Sequence, residues 1–364
     1  MKFFSWLPVF SILFLWNPSS KINPALVPAC NGTYSDELFE SNDVLNIKLK
    51  GDLRTLFNDK ADNAKYHDIA ISYFDKDGQE ISVAAKVKTR GHFRRKLGNC
   101  AYPPILLDFS ETKNQMPSLF KEQKKLKLIM PCSGDDLIVK EYLTYKIYNL
   151  VTEKSFRARL VKVETEDTRR NKNGEPFFGM LLEEDKQMAT RNHSILVKRP
   201  LLRMQNMDKS AFLKMAVFEY LIGNTDWSVE YQQNIRLLAK DSLSVPEPVP
   251  YDFDHAGLVD APYAQPAEAL QMNSVRERRY RGYCIIDMNE YAPVISFYNH
   301  FKKDIYDLYT NCTLINSKYL KSTIKYLDEF YYTINNPKKL QEEFGYPCRP
   351  DGTGNVIIKG LNKE

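Results

Sequence analysis

The sequence divides into a strand-rich first half and a mainly helical second half, and this division limits the folds open to the chain. Alternating apolar and polar residues predict strands at 66–74, 79–89, 104–109, 124–130, 156–165 and 177–183. Helical spacing of apolar residues predicts helices at 208–222, 287–309 and 317–334. The change falls near residues 184–196, and 364 residues leave room for two lobes around a cleft.

Turn residues organise the first half into hairpins. Residues 75–78 (Asp-Lys-Asp-Gly) and 171–174 (Asn-Lys-Asn-Gly) have turn chemistry. A helix over 137–153, capped by Asp135 or Asp136, interrupts the strands. One helix inserted in an antiparallel sheet resembles the small lobe of a protein kinase, although many α+β domains share it.

We therefore expect an α+β fold of the two-lobed protein-kinase-like type, with a strand-rich N-lobe and a mainly helical C-lobe. The expected domains are a signal peptide at 1–29, the N-lobe at 30–184, the C-lobe at 185–348 and a tail at 349–364.

The N-terminus is typical of an exported protein. Lys2 precedes an apolar run over residues 3–16, which is shorter than the roughly 20 residues of a membrane-spanning helix. Val27 and Ala29 fit a cleavage site, and Ser19 and Ser20 offer an earlier one. Lipidation at Cys30 is the less favoured alternative. We expect a periplasmic, cell-surface or secreted protein.

Export permits disulfides among the six cysteines. Cys100 and Cys132 flank neighbouring predicted strands, so this pair is the favoured bridge, and buried thiols are the alternative.

Composition excludes several classes of function. The 51 basic and 46 acidic residues give a net charge of only +5, so we expect no nucleic-acid partner. The histidines and cysteines lack metal-ligand spacings such as CxxC. Only 15 glycines argue against glycine-rich repeats.

The stretch from 223 to 257 combines the side chains that phosphoryl transfer requires. Residues 224–227 (Asn-Thr-Asp-Trp) and Asn234 form an acidic loop, and a predicted hairpin leads to residues 250–254 (Pro-Tyr-Asp-Phe-Asp). One carboxylate can accept the proton of an acceptor hydroxyl, while another, with an amide oxygen, can hold magnesium. The hairpin would bring both acidic groups to one end of a cleft.

This order of motifs resembles the CotH spore-coat kinases and, more distantly, the HipA-like atypical kinases. Residues 224–227 with Asn234 are similar to the CotH catalytic loop, and 250–254 to its Pro-aromatic-Asp-x-Asp metal segment. Residues 89–95 (Thr-Arg-Gly-His-Phe-Arg-Arg) are similar to its Arg-Gly-Asn-Ser-Ser-Arg strand-turn. The resemblance covers roughly residues 86–257 and is a match of motif order.

The resemblance implies a role for each matching residue. Asp226 would be the catalytic base, and Asn234 and Asp252 would bind Mg²⁺ or Mn²⁺, with Asp254 as a second candidate. The reaction would transfer the γ-phosphoryl group of ATP to a hydroxyl of a protein Ser or Thr, or of a small molecule. Asn234 follows Asp226 by eight residues, against five in the usual protein-kinase loop.

The phosphate-binding lysine is predicted from the residues and not from the resemblance. Strand alternation puts Lys125 and Lys127 on one face, and Glu141 follows on the next helix at a spacing suited to a lysine–glutamate pair. A solvated strand face is the alternative. Arg90 and Arg94 are further candidates for phosphate contact, since the chain has no glycine-rich phosphate loop.

Two other classes of function remain open. One is a catalytically inactive kinase-fold surface binding protein, and the other is a metal-dependent hydrolase that uses the same carboxylates.

Asp226 could simply cap a turn, and His255 is more often structural. The run at 276–281 (Arg-Glu-Arg-Arg-Tyr-Arg) is typical of a solvated face, or holds an acidic acceptor.

Overall fold

The computed structural model describes residues 38–350, apart from 92–93, 95–99, 101, 112–117 and 200. The expected signal peptide, Cys30 and the tail beyond residue 350 lie outside the described residues, as do His92, Phe93 and Arg95 of the predicted strand-turn.

The described residues form ten strands and eight α-helices. The strands are β1 Leu45–Gly51, β2 His67–Phe74, β3 Glu80–Thr89, β4 Ile105–Asp108, β5 Lys125–Ile129, β6 Ala158–Asp167, β7 Lys172–Leu182, β8 Ile195–Leu196, β9 Ile235–Ala239 and β10 Glu247–Pro250. The helices are α1 Leu53–Asn58, α2 Asp136–Val151, α3 Asp185–Arg191, α4 Lys209–Ile222, α5 Ala292–His300, α6 Lys302–Thr310, α7 Ser317–Asn335 and α8 Pro337–Phe344.

The first seven strands close into a mixed barrel in the order β1-β2-β3-β4-β5-β7-β6. Neighbouring strands are antiparallel except β1 and β6, which pair in parallel and close the barrel, with Leu45 opposite Val161. The expected two-lobed kinase-like fold is therefore wrong: the chain has a closed seven-stranded barrel, a second small sheet and a set of helices.

The barrel closes because its strands carry one continuous apolar face. Residues in β3 alternate between buried and exposed along its length, as expected for a strand with one face in a core. The side chains inside the barrel are aliphatic and fully buried, including Leu49, Ile71, Val87, Leu107 and Leu126. Both predicted hairpins are confirmed as β2–β3 and β6–β7.

The second sheet, in the order β10-β9-β8, positions the acidic loop. Ile235 at the start of β9 lies opposite Pro250 at the end of β10, and the Tyr251 amide donates to the Asn234 carbonyl at 3.0 Å. The hairpin therefore brings the residues before β9 and after β10 to the same end, as predicted.

Helix α4 delivers the chain to this end of the sheet. The Asp208 carboxylate caps its first turn by accepting from the Ala211 amide, and Gly223 ends it in a left-handed conformation at φ 69°. A Cβ at Gly223 would lie 2.0 Å from the Tyr326 hydroxyl, so this close approach requires glycine. The helix predicted over 287–309 is interrupted at Phe301, between α5 and α6.

Two disulfides cross-link the described chain. The Cys100–Cys132 bond confirms the favoured pair. The Cys284–Cys348 bond joins the end of the helical half to the segment that follows residues 276–281. Disulfides persist in oxidising compartments, so both bonds agree with an exported or extracellular protein. Within residues 38–350, no described helix combines the length and apolarity needed to cross a membrane.

Candidate functional site

Asp226 lies in the turn that follows α4 and is buried. Its amide donates to the Asn224 side-chain oxygen at 3.0 Å, which fixes the turn. One carboxylate oxygen, Oδ2, accepts from the Asn234 amide nitrogen at 3.0 Å. The other, Oδ1, is buried and has no hydrogen-bond partner among the described residues. A buried acceptor without a partner is costly to a fold, so this oxygen requires an explanation.

Asn234 and Asp252 share an unusual backbone conformation at the two ends of the hairpin. Their φ angles are 51° and 65°, in the left-handed region that non-glycine residues rarely adopt. The Asp252 amide donates to the Tyr145 hydroxyl of α2 at 2.8 Å, and this bond holds the conformation. Backbone of this kind is concentrated at functional sites.

A second group of charges lies beside Asp252. The Arg94 guanidinium contacts the Asp254 carboxylate at 2.6 Å and the Glu141 carboxylate at 3.4 Å, and all three side chains are buried. The Tyr263 hydroxyl also donates to Asp254 at 3.2 Å. Arg94 therefore pairs with Glu141 as well as with Asp254, and the Asp254 carboxylate accepts from two donors.

Burial and neighbouring charges shift the pKa values of these carboxyls in different directions. Burial raises the pKa of Asp226 to about 6, against the attraction of His255. Burial also raises the pKa of Asp252 and lifts that of Glu141 to about 8. Burial opposes ionisation of Asp254 as well, but the Arg94 charge outweighs it, and the pKa of Asp254 is lowered. One arginine thus neutralises one ionised carboxylate, while Glu141 keeps its proton at neutral pH.

The lysine–glutamate pair expected from the sequence is replaced by two other pairs. Lys127 is buried in β5 and contacts the Asp185 carboxylate at the start of α3, while Glu141 pairs with Arg94. Arg236 of β9 reaches the same Asp185 at 2.6 Å. Burial lowers the pKa of Lys127 to about 8, so it is mostly charged at pH 7.

Of the two other candidate cations, Arg90 lies at the site and Lys125 lies at the surface. Lys125 is half-exposed and pairs with Asp108 of the neighbouring strand at 3.2 Å, away from Lys127. The Arg90 charge acts on both Lys127 and Asp252, and its backbone amide donates to the Pro104 carbonyl at 2.8 Å. The structure thus puts Arg90 with the site and Lys125 at the rim of the barrel.

Tyr251 links the cation cluster to the acidic loop. Its ring lies 4.3 Å from the Arg236 guanidinium and 5.5 Å from the Lys127 ammonium, as measured to the ring centroid. Asp252 follows it directly in the chain. The acidic residues and the basic residues therefore form one continuous polar region.

A cavity of about 510 Å³ opens beside this region. Its charged lining residues are Asp185, Lys198, Glu230 and Arg236. Leu196, Leu201 and Tyr231 contribute apolar surface. Glu230, Tyr231 and Gln232 belong to the long loop between Asp226 and Asn234, so the extra loop length forms part of the cavity. Its volume lies in the range of small-molecule sites, about 300–1,000 Å³.

The residues fit a magnesium ion as part of a shared coordination shell. Among the described residues, His, Cys, Asp and Glu side chains form no group of three or more that holds a metal ion alone. Magnesium, however, commonly takes one or two carboxylates and completes its shell with water and substrate phosphates. The Asp252 carboxylate and the Asn234 amide oxygen supply such a partial set, next to the unpartnered Asp226 Oδ1. Asp254 is less suited, because Arg94 and Tyr263 already engage its Oδ2.

Sequence reasoning missed three residues of the site. Asp185 and Arg236 give no motif signal, because their pairing with Lys127 depends on the approach of β5, α3 and β9. Arg281 was assigned to a charged surface run, yet it is buried against the acidic loop. The regular alternation of β9 predicts only that Arg236 faces away from Ile235 and Leu237.

No protein-family model matches the chain, and no curated protein matches it.

Proposed function

We propose that this site transfers the γ-phosphoryl group of ATP to a hydroxyl, namely that of a protein Ser or Thr. One observation carries the proposal: Asp226 is buried with one oxygen held by Asn234 and the other unpartnered, beside Asp252 and a cluster of cations. The proposal rests on these contacts and does not depend on a kinase fold.

Asp226 is the proposed base. Its Oδ1 accepts the proton of the acceptor hydroxyl, while Asn234 prevents the carboxylate from rotating. A pKa near 6 leaves the carboxylate mostly ionised at pH 7 and still able to take a proton as the hydroxyl attacks.

Asp252 and Asn234 are the proposed ligands of the Mg²⁺ ion, or of Mn²⁺. When bound, the ion neutralises charge on the phosphate oxygens. Both residues have a left-handed backbone. The Asn234 carbonyl accepts from the Tyr251 amide, and the Asp252 amide donates to the Tyr145 hydroxyl. These bonds fix the two side chains relative to each other.

Arg90, Lys127 and Arg236 are the proposed phosphate-facing cations. They contribute three positive charges against the two carboxyls of Asp185 and Asp252, and an anion adjacent to them gains from this excess. The neighbouring cavity, about 510 Å³ in volume, is the proposed place of the nucleoside. Lys125 is excluded from this group by its pairing with Asp108.

The proposal places the reaction outside the cytoplasm. Two disulfides support an exported chain, and the N-terminal apolar run supports removal of residues 1–29. Secretion, cell-surface attachment and lipidation of Cys30 are finer proposals, which mass measurement of the N-terminus of the exported chain distinguishes.

Transfer from γ-labelled ATP tests the function directly. The purified chain is incubated with Mg²⁺, labelled ATP and a mixture of Ser- and Thr-containing peptides, and label is measured on peptide, on the chain and as free phosphate. We expect label on a hydroxyl, its loss in Asp226→Asn and its retention in Asp241→Asn, an exposed aspartate in the β9–β10 turn.

The other outcomes identify the alternatives. Free phosphate without labelled hydroxyl indicates a metal-dependent hydrolase. Thermal stabilisation by Mg²⁺ and ATP without either product indicates a binding protein without turnover. Equal transfer by Asp226→Asn and the unsubstituted chain contradicts the role of Asp226.

A further inference from the structure

Arg281 closes the basic run at 276–281, and it is not solvated. Its side chain is buried, with only 8% of the residue exposed. Arginine is rarely buried without partners, because removing a charge from water is costly unless polar groups replace the water. The partners of Arg281 therefore indicate what the residue does.

Those partners lie on both sides of Asp226. The Arg281 Nη1 donates to the Thr225 carbonyl at 2.8 Å and to the Trp227 carbonyl at 2.7 Å. The guanidinium also lies over the Trp227 ring, 4.6 Å from its centroid. Arg281 thus bonds the carbonyl of the residue before Asp226 and the carbonyl of the residue after it, from a segment that is 54 residues further along the chain.

The guanidinium is a permanent charge at this position. Burial lowers the pKa of Arg281 to about 10, and the carboxyls of Asp226 and Glu219 oppose this effect, so the group remains protonated at neutral pH. Two carbonyls that accept from one fixed cation are held at a set separation. The peptide between them has little freedom to rotate.

We propose that Arg281 is the positioning residue of the reaction, because it fixes the backbone on both sides of Asp226 and thereby aims the carboxylate at the acceptor hydroxyl. The inference rests on the proposed function, since it assigns Asp226 the role of base. Arg281 bonds the loop on both sides of Asp226 and is not among the residues that line the nucleotide cavity, so it acts through Asp226.

Loss of a positioning residue affects the kinetic constants differently from loss of a residue that only supports the fold. A misplaced base slows the chemical step and leaves ATP binding intact, so kcat falls while KM for ATP holds. Arg279 is the matched control: it belongs to the same run, but it bonds the Leu270 carbonyl and the Tyr346 hydroxyl, away from Asp226.

Trp227 reports on the loop independently of activity. The chain has three tryptophans, and Trp6→Phe with Trp16→Phe leaves Trp227 alone in the full-length chain. Trp227 is 3% exposed, so acrylamide quenches its fluorescence only when the loop opens. Kinetics with labelled ATP and the peptide mixture, and quenching of Trp227, are measured for Arg281→Met, Arg281→Lys and Arg279→Met in this background.

We expect Arg281→Met to lower kcat by about a hundredfold with KM for ATP unchanged, and to increase quenching of Trp227. Arg281→Lys restores part of kcat, because it keeps the charge but lacks the planar guanidinium that lies over the Trp227 ring. If Arg281→Met does not fold, the reduced kcat at unchanged KM in Arg281→Lys carries the test. Arg279→Met matches the parent in both measurements.

Two results overturn the inference: a parental kcat in Arg281→Met, or equal losses in Arg281→Met and Arg279→Met. Failure of the proposed function is distinguishable from both. In that case the unsubstituted chain transfers no phosphoryl group, and the quenching comparison alone decides whether Arg281 holds the loop.

Discussion

The Asn234 side chain donates to the carboxylate of Asp226 at 3.0 Å and to its backbone carbonyl at 2.8 Å. The two residues lie at opposite ends of one loop, so the amide nitrogen closes the loop on itself. The amide oxygen of Asn234 remains for a second partner. This bond joins the proposed base to the proposed metal ligand.

Substitution of Asn234 separates its side-chain role from its backbone role. Asn234→Gly keeps the left-handed backbone and loses the amide, whereas Asn234→Ala loses the amide and strains the backbone by about 1–2 kcal/mol. We expect both variants to lose phosphoryl transfer by about a hundredfold or more. Urea unfolding should show Asn234→Ala to be the less stable of the two. Equal stability, or transfer retained by Asn234→Gly, contradicts this account.

The pH dependence of kcat/KM reports the ionisation of Asp226. The pKa of this group is raised from 3.8 to about 6, and only the ionised form accepts a proton. The rate constant should therefore rise about tenfold per pH unit below pH 6 and level off above it. A midpoint near 4 contradicts the assignment.

His255 is the other group that must be tested in this pH range. Its charge lowers the pKa of Asp226, so His255→Gln should move the rising limb to higher pH. Disappearance of the limb in this variant contradicts its assignment to Asp226. Asp241→Asn, distant from the site, should leave the profile unchanged.

Local patterns in the sequence predicted most elements but not their assembly. The β2–β3 hairpin, α4 with its Asp208 cap and Gly223 stop, and the Cys100–Cys132 bond all depend on nearby residues or on adjacent strands. The closed barrel depends on the parallel pairing of β1 with β6, which are far apart in the chain. Alternation in a strand predicts its buried face and does not predict its neighbour.

The same limit applies to the site. Asp226, Asn234 and Asp252 were found because a short hairpin joins them and fixes their proximity. The Lys127–Glu141 pair failed because spacing along the chain gives no information on competing partners, and Asp185 and Arg94 lie closer. A buried arginine within a charged run, such as Arg281, is indistinguishable from a surface residue by composition.

Lys127 and Lys125 provide a matched test of nucleotide binding. Lys127→Met removes a buried cation beside the cavity, whereas Lys125→Met removes a half-exposed partner of Asp108. We expect Lys127→Met to weaken binding of ATP with Mg²⁺ by about tenfold or more, since a charge-assisted hydrogen bond contributes about 1.5–3 kcal/mol.

Thermal-shift titration measures the difference, with the melting temperature of each unliganded variant as the control. Lys125→Met should bind ATP as the unsubstituted chain does. Equal affinities in all three proteins contradict the placement of the phosphates at Lys127.

Arg94 should contribute to stability more than any surface cation. Arg94→Met leaves the ionised Asp254 buried beside Glu141 without its cation, and such a loss destabilises a protein by about 3–5 kcal/mol. Adding Asp254→Asn removes the uncompensated charge and should recover part of the loss. Urea unfolding measures both variants.

Arg169 is the control for this prediction. It is two-thirds exposed and pairs with Asp52 at 3.5 Å, so Arg169→Met should change the free energy of unfolding by less than about 0.5 kcal/mol. A similarly small effect in Arg94→Met would show that Arg94 does not neutralise Asp254.

The parallel contact of β1 with β6 also constrains when the protein can fold. Strand β1 has no second neighbour until β6 has been synthesised. The hydrophobic interior of the barrel therefore stays open while most of the strand-rich half is being made. Long-range pairing of this kind slows folding. A chain that assembles late remains unfolded, and therefore threadable through an export channel, for longer than one built from local contacts.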